Sequence, residues 1–389
     1  MIIEKIKRKI NSCIIKFFDY SICLFPQKRI KKDILLIKLD AIGDFILWQD
    51  SLRAYKEFYK NNHITLICNS SVKEIAKQDP FFNEIVAINR NLFLFDFAYH
   101  KNIVKKIRKY KFEKIISPVF SRDAFFCEKV IALLNGKEII GYNGGATNLN
   151  TRQRKKFDKY YTKLLNTPPK EYTSELKING YFVSQLFNIN FIEELPQLYI
   201  KDISSSKIPQ EDFIAIAISA SYSARAWDIE KFSNIANYLT DKYNIVLLGQ
   251  GKEDNIKAMY LLKRCKDRNK IINLVNNTTI LEYIEIIKRA LFIIGNDSSA
   301  VHIASAVKTP SICIAPGAHY NRFVPYPINL TTTYTPRVIV HKMECFGCDY
   351  KCKYPIVKEL KCIADIKEDI VIENINQLIN ELNNPQYEK

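Results

Sequence analysis

Short apolar segments alternate with longer segments of helical periodicity along the chain, and this alternation limits the fold more than any other feature of the sequence. Five segments of strand length lie in the first half: 34–39, 64–68, 85–88, 114–118 and 138–142. Five more lie in the second half: 213–218, 244–248, 270–273, 291–294 and 311–315. Strands that alternate with helices predict parallel sheets covered by helices on both faces.

A segment rich in proline and serine, 196–212, separates the two halves and is typical of a linker. We therefore predict an α/β protein with two Rossmann-like, doubly wound domains that face a central cleft. The expected organisation is a basic amphipathic segment at 1–32, a first domain at 33–205 and a second at 206–389, which includes a cysteine cluster at 345–362 and a C-terminal helix. Ligands of such domains bind outside the carboxyl ends of the strands.

The composition is that of a globular protein, with 47% hydrophobic and 25% charged residues, which excludes a disordered chain, a collagen-like repeat and a coiled-coil rod. The formal net charge is +17, and residues 1–202 hold 35 basic against 21 acidic residues, a surplus of 14. An acidic partner is therefore expected to bind the first half.

The N-terminal segment 1–32 carries nine basic and two acidic residues. It has no run of 18 apolar residues, and Lys16 and Asp19 interrupt the apolar core that a signal peptide needs, so neither a transmembrane helix nor a signal peptide is predicted. As a helix, it places apolar side chains on one face: Ile3, Ile6, Ile10, Ile14 and Phe17. Two interpretations stay open, namely a helix that lies on an anionic membrane and a helix packed on its own domain.

Three polar motifs follow predicted strands. In the first, Gly43 permits a tight turn or the close approach of a ligand, and Asp44 stands at the start of the next helix. Asp44 is either a carboxylate that caps this helix or a general base.

The second motif contains Ser221 and Arg225 after strand 213–218. Hydroxyl groups, backbone N–H groups and a guanidinium suit a phosphate, although a plain polar loop fits equally well. The third contains Asp297, Ser298 and His302 after strand 291–294, where a new helix begins. The free N–H groups of that helix can bind an anion, and His302 is either a structural or a functional residue.

Four cysteines lie within 18 residues: Cys345, Cys348, Cys352 and Cys362. They are candidate ligands of a structural zinc ion, and free thiols are the alternative. A second feature is the basic segment 151–163, which follows two glycines and holds six basic residues and one acidic residue. It is predicted to be a mobile loop that grips an anionic acceptor.

Together these motifs resemble the heptosyltransferase-like glycosyltransferases, glycosyltransferase family 9. Asp297, Ser298, His302, Ala304 and Pro310 match the nucleotide-sugar signature of that family, with Ser299 in the place of its usual glycine. Further matches are the opening LLIKLDAIGDFIL, Asn273-Leu274 with Thr278, and ASYSARAW, where Arg225 replaces a lysine. The resemblance extends from about residue 33 to residue 371.

This resemblance implies a GT-B fold, with the acceptor bound by the N-terminal domain and a nucleotide sugar, typically ADP-heptose, by the C-terminal domain. It implies inverting transfer without a catalytic metal or other cofactor. Asp44 matches the catalytic base of the family. The donor would contact Ser221, Arg225, Asp297, Ser298, Ser299 and His302, and Glu253 would bind the ribose hydroxyls.

The expected acceptor is a lipopolysaccharide or lipooligosaccharide core or another anionic surface glycan, reached from the inner face of the cytoplasmic membrane by a cytoplasmic, peripherally bound enzyme. Three alternatives remain: a nucleotide-sugar epimerase, a nucleic-acid-binding protein and a non-catalytic membrane scaffold. Nucleic acid is not expected as a partner, because the three strand-end motifs would then have no purpose.

Overall fold

In the computed structural model, the described residues are 2–24, 29–145, 148–170, 173–330 and 332–384. They form two compact units. The first comprises Met1–Phe45, Ser51–Tyr172 and Ile178–Ile192, and the second comprises Ile46–Asp50, Thr173–Lys177 and Glu193–Lys389.

The first unit is built on a six-stranded sheet in which all neighbouring strands are parallel. Its strands are β1 (Ile30–Lys38), β2 (Ile64–Asn69), β3 (Glu84–Ile88), β4 (Tyr110–Ser117), β5 (Gly136–Tyr142) and β6 (Lys163–Leu165). Their order is β3-β2-β1-β4-β5-β6, which is that of a Rossmann fold. The central strand is apolar and buried on both faces, as the run of Leu35, Leu36 and Ile37 predicts.

Eight helices precede, connect or follow these strands in the chain: α1 (Ile2–Leu24), α2 (Ile42–Phe58), α3 (Lys73–Ala76), α4 (Arg90–Phe95), α5 (Phe97–Arg108), α6 (Cys127–Leu133), α7 (Thr151–Phe157) and α8 (Glu175–Phe187). The prediction of a mobile loop at 151–163 is wrong, because α7 begins there. The side chain of Asn150 accepts a hydrogen bond from the Gln153 backbone, and the Gln153 side chain accepts one in return. This capping box satisfies two N–H groups at the start of the helix.

The second unit repeats the topology of the first. Its strands are β7 (Phe213–Ala217), β8 (Asn244–Leu248), β9 (Ile271–Asn273), β10 (Ile293–Asn296), β11 (Ser311–Ile314) and β12 (Arg337–Ile339). All are parallel, in the order β12-β11-β10-β7-β8-β9. Its helices are α9 (Ile229–Leu239), α10 (Lys252–Arg264), α11 (Ile280–Arg289), α12 (Ser299–Ala306), α13 (Lys361–Ala364) and α14 (Glu368–Leu382). The prediction of two doubly wound sheets is confirmed.

Helix α1 packs on its own unit along one face. Ile15 and Ile22 are buried, and the imidazole of His100 in α5 hydrogen-bonds to the Asp19 carboxylate at 2.7 Å. The side chains of Ile3 and Ile6, which the sequence placed on the apolar face, lie outside the described side chains, as do residues 25–28. Across the described chain we find no helix with the length and hydropathy that crossing a membrane requires.

Candidate active site

The second and third sequence motifs meet where the connections of the second sheet change direction. Strands β7 and β10 are neighbours, with Gly295 opposite Ala217, and the helices that follow them lie on opposite sides of the sheet in a doubly wound fold. The loop with Ser221 and Arg225 leaves β7, and the loop with Asp297 leaves β10. Two polar loops therefore converge at the carboxyl edge, which is the usual ligand position in such a fold.

Arg225 joins the two loops. Its Nη2 atom lies 2.6 Å from a carboxylate oxygen of Asp297 and donates to the Asp297 backbone carbonyl at 3.2 Å. Its Nη1 atom donates to Ser221 Oγ at 3.2 Å. The side chains of Arg225 and Asp297 are 16% and 7% exposed, so solvent screens this ion pair only partly. The pairing fixes the guanidinium beside the start of α12.

Ser298 and Ser299 lie at that start. Ser298 is the N-cap residue of α12, and its side chain caps no backbone N–H group of the helix. Ser299 is the first helical residue. The first N–H groups of a helix have no partner within the helix and carry a partial positive charge, so this helix end complements an anion.

The side chain of Asn296 holds the loop that follows β7 against the end of β10. The sequence motifs did not single out this residue. It is fully buried, its Oδ1 accepts from the backbone N–H of Trp227 at 2.9 Å, and its Nδ2 donates to the carbonyls of Ile218 and Ser219. A buried amide with all three of these bonds fixes the backbone on both sides of Arg225. The sequence signal was its place in the string GNDSS, directly before Asp297.

His302 is buried one turn into α12, with 3% of its surface exposed. Its Nδ1 lies 3.0 Å from the hydroxyl oxygen of Tyr326. Burial lowers the pKa of His302 to about 4, and the nearby Arg225 lowers it while Asp297 opposes the shift. The imidazole is therefore neutral at pH 7 and brings no positive charge to the site.

The acidic side chain of Asp254, which the sequence motifs did not single out, links a third loop to this edge. Asp254 is buried and accepts hydrogen bonds from the Gln250 backbone at 2.9 Å and from the hydroxyl of Ser219. Glu253 is exposed in the first turn of α10, and its role toward ribose stays a prediction. Gly251, with φ 104°, makes the turn that precedes the helix.

In the first unit, Asp44 lies in the first turn of α2 and is half-buried. The prediction that Asp44 caps this helix is wrong, because the N-cap residue is Ala41. Gly43 is the second residue of the helix rather than part of a turn before it. At the end of β1, the buried Lys38 ammonium lies 2.8 Å from the Asp40 carboxylate, which gives its charge a partner.

The four clustered cysteines, Cys345, Cys348, Cys352 and Cys362, carry free thiols that are neither fully buried nor fully exposed. Burial raises the pKa of Cys352, and the other three thiols raise it further, so the four lie near one another. Nevertheless, among the residues that the structure describes, no three His, Cys, Asp or Glu side chains are arranged to hold a metal ion. The zinc site stays a prediction.

The cysteine segment also contacts the site through Tyr350. The guanidinium carbon of Arg225 lies 5.5 Å from the centre of the Tyr350 ring. This cation–π contact and the ion pair with Asp297 together hold the Arg225 guanidinium in place.

Comparison with known proteins identifies relatives of this chain. Residues 162–350 match the model of "Glycosyltransferase family 9 (heptosyltransferase)". Lipooligosaccharide heptosyltransferase 2 of Campylobacter jejuni is 23% identical over 87% of this chain and 96% of its own length. Lipopolysaccharide heptosyltransferase 3 of Escherichia coli K12 is 23% identical over 70% of this chain and 79% of its own length.

Solved structures share the fold. A glycosyl transferase of family 9 from Veillonella parvula has a TM-score of 0.69 at 17% identity, over 90% of this chain and 97% of its own. The E. coli ADP-heptose lipopolysaccharide heptosyltransferase II has a TM-score of 0.61 at 16% identity, over 90% of this chain and 99% of its own. The two Rossmann-like sheets are thus those of a GT-B protein. The chain is accordingly a glycosyltransferase similar to the heptosyltransferases, and its residues 162–350 match family 9, as the strand-end motifs predicted.

Proposed function

We propose that this enzyme moves a sugar, heptose by default, from a nucleotide sugar to a lipopolysaccharide or lipooligosaccharide core or a related surface glycan, with inversion at the anomeric carbon. The observation that carries the proposal is the meeting of Arg225, Ser221 and the N-terminus of α12 at the carboxyl edge of the second sheet. The names of the heptosyltransferase relatives support the acceptor class.

The donor diphosphate binds at this edge. As the bond between the anomeric carbon and the phosphate oxygen breaks, the negative charge of the leaving diphosphate grows. Arg225, the hydroxyls of Ser221 and Ser298, and the first N–H groups of α12, beginning at Ser299, stabilise that charge. Asp297 holds the guanidinium in place by its 2.6 Å ion pair. His302 donates or accepts one hydrogen bond as a neutral imidazole. We propose ADP as the nucleotide, a choice supported by the ADP-heptose enzyme that shares the fold.

The acceptor hydroxyl needs a base, and we assign that role to Asp44. Its carboxylate takes the hydroxyl proton while the oxygen attacks the anomeric carbon, and the nucleoside diphosphate leaves from the opposite side. One displacement of this kind inverts the anomeric centre. Such a base contributes about 10²- to 10⁴-fold to the rate.

The reaction as proposed needs no catalytic metal, because fixed cations and N–H groups of the chain supply the positive charge that a divalent ion supplies elsewhere. The cysteine cluster takes part in no step. The enzyme is proposed to work in the cytoplasm, peripherally bound to the inner face of the membrane that holds its lipid-linked acceptor.

The test is the thermal shift of the purified enzyme with ADP, UDP, GDP or CDP, each with and without EDTA. A ligand at 100 times its Kd stabilises the folded state by about 2.7 kcal/mol. The expected result is a rise in Tm with ADP alone that EDTA leaves unchanged. A shift with a different nucleotide alone would show that the donor carries that nucleotide instead of ADP. Loss of the shift in EDTA would refute the proposal that binding needs no metal. The absence of a shift with every nucleotide would refute the donor site.

A further inference from the structure

Helix α1 has two apolar faces, and only one of them is covered by its own unit. The covered face holds Ile15 and Ile22, which are 2% and 9% exposed. The opposite face presents apolar side chains to solvent, at the spacing of one helical stripe: Ile10 is 54%, Ile14 42%, Phe17 74% and Tyr20 69% exposed.

The exposed face cannot turn inward, because polar contacts fix the rotation of α1. Asp19 is bound to the buried His100 of α5 at 2.7 Å. Arg108 Nη2 donates to the Ile22 carbonyl at 2.9 Å, and Asn11 Nδ2 donates to the Phe95 carbonyl at 2.8 Å. These bonds lie along the helix from its middle to its end, so rolling the stripe toward the unit would break all of them and expose Ile15.

Positive charge flanks the stripe. Lys9 and Lys16 are exposed on α1, to one side of Phe17 on the helix. Lys16 of α1 and Lys156 of α7 both lie near Lys129 of α6, which is half-buried. Burial lowers the pKa of Lys129, and the charges of Lys16 and Lys156 lower it further, against the opposing effect of Asp19. Lysines of α1 and α7 thus converge on Lys129 of α6, next to the apolar stripe.

We propose that this face of α1, defined by Ile10, Ile14, Phe17 and Tyr20 with Lys9 and Lys16, inserts into the interface of a bilayer that contains anionic lipids. Aromatic and aliphatic side chains at the acyl boundary with lysines at the headgroups are what an interfacial helix requires. Each lysine near an anionic surface adds about 1 kcal/mol of attraction. The charge favours this occupant over a second copy of the chain, because two such basic faces would repel each other.

The inference deepens the proposed function, since it names the surface that would bring the first unit to a membrane-bound acceptor. It also orients that unit, because α1 is docked rigidly on α4 and α5 through the contacts of Asn11, Asp19 and Ile22. Binding at α1 would therefore fix which side of the first sheet is turned to the lipid.

The test is flotation with vesicles of phosphatidylcholine, with and without phosphatidylglycerol. The wild type is expected to float with the anionic vesicles, less so at high salt. The double variant Phe17→Ser/Tyr20→Ser is expected to bind at least about tenfold more weakly, because it removes two aromatic side chains from the apolar phase. Lys9→Glu/Lys16→Glu is expected to lose the preference for anionic vesicles.

The matched control is Ile256→Ser/Met259→Ser on α10, which removes side chains of 61% and 57% exposure from the second unit. It should float like the wild type. All of these positions are exposed, and circular dichroism verifies that the variants fold. Equal binding of the wild type and Phe17→Ser/Tyr20→Ser would overturn the proposal. So would a wild-type dimer in sedimentation velocity that this variant dissociates. The rise in Tm with ADP, measured on the same variants, tests the donor site separately. It reports ADP binding to the second unit and needs no membrane, so a failed membrane proposal would leave it unchanged.

Discussion

The buried His302 makes the stability of the second unit depend on pH, and the size of the effect follows from its surroundings. In the unfolded chain the imidazole has a pKa near 6.5, and in the folded protein burial lowers it to about 4. Between these values the unfolded state binds the additional proton. The free energy of unfolding therefore rises with pH through this window and falls as pH drops from 6.5 toward 4.

The magnitude is about 1.4 kcal/mol per pH unit at its steepest, and it accumulates to about 2 kcal/mol between pH 8 and pH 5 and to about 3 kcal/mol at pH 4. Replacing the imidazole by an amide removes this dependence, since glutamine does not titrate. His302→Gln also keeps a polar atom near the hydroxyl of Tyr326, which lies 3.0 Å from Nδ1 in the wild type.

The assay is urea unfolding of the wild type and His302→Gln at pH 8, 6.5 and 5, followed by tryptophan fluorescence. The stability difference between the two proteins is expected to shift by about 2 kcal/mol in favour of the variant on going from pH 8 to pH 5. Other groups titrate equally in both proteins and cancel. His341→Gln is the control, because that imidazole is 44% exposed. A difference that stays constant with pH, or an NMR titration of His302 with its midpoint near 6.5, would refute the argument.

Three further outcomes concern the site. Asp44→Asn should lower the rate of sugar transfer by about 10²- to 10⁴-fold and leave the affinity for ADP unchanged. Weaker ADP binding would instead show that Asp44 binds the nucleotide sugar, and an unchanged transfer rate would refute its role as the base. Arg225→Ala should weaken ADP binding by about tenfold or more, and Ser221→Ala by less, because only the first removes a positive charge that faces the diphosphate. Calorimetry measures both affinities, and equal losses would contradict the assigned roles. Asn296→Ala should lower the free energy of unfolding by about 2 kcal/mol, because buried partners lose their bonds; urea unfolding tests this, and a change within the error of the wild type would refute the positioning role.

Local pattern determined the elements and their alternation. The apolar run at 34–39 and the periodic segment at 280–289 predict β1 and α11 because strand and helix periodicities are properties of neighbouring residues. Two of the four edge strands, β6 and β12, were missed, since each has three residues and a short edge strand carries little apolar signal. The helix α7 was missed because its basic composition hid a capping box formed by two ordinary polar residues.

Contacts between distant residues were decided only by tertiary structure. The sequence placed Arg225 and Asp297 in separate loops 72 positions apart, and only the adjacency of β7 and β10 brings the two charges to 2.6 Å. Which acidic residue of α10 joins this edge depended on which side of the helix faces the sheet: Asp254 accepts a hydrogen bond from the Gln250 backbone, whereas its neighbour Glu253 is exposed.

The N-terminal helix shows the same division. The sequence by itself determined that α1 would be amphipathic and basic, because the charge and the 3.6-residue period depend only on the order of the residues. It left open whether the helix packs on its unit or lies on a membrane. The tertiary structure decided that one apolar face is covered while the face with Phe17 and Tyr20 stays exposed. The physical reason is that the bonds from Asp19 and Ile22 to α5 fix the rotation of the helix, and rotation is a property of the docked pair rather than of either segment.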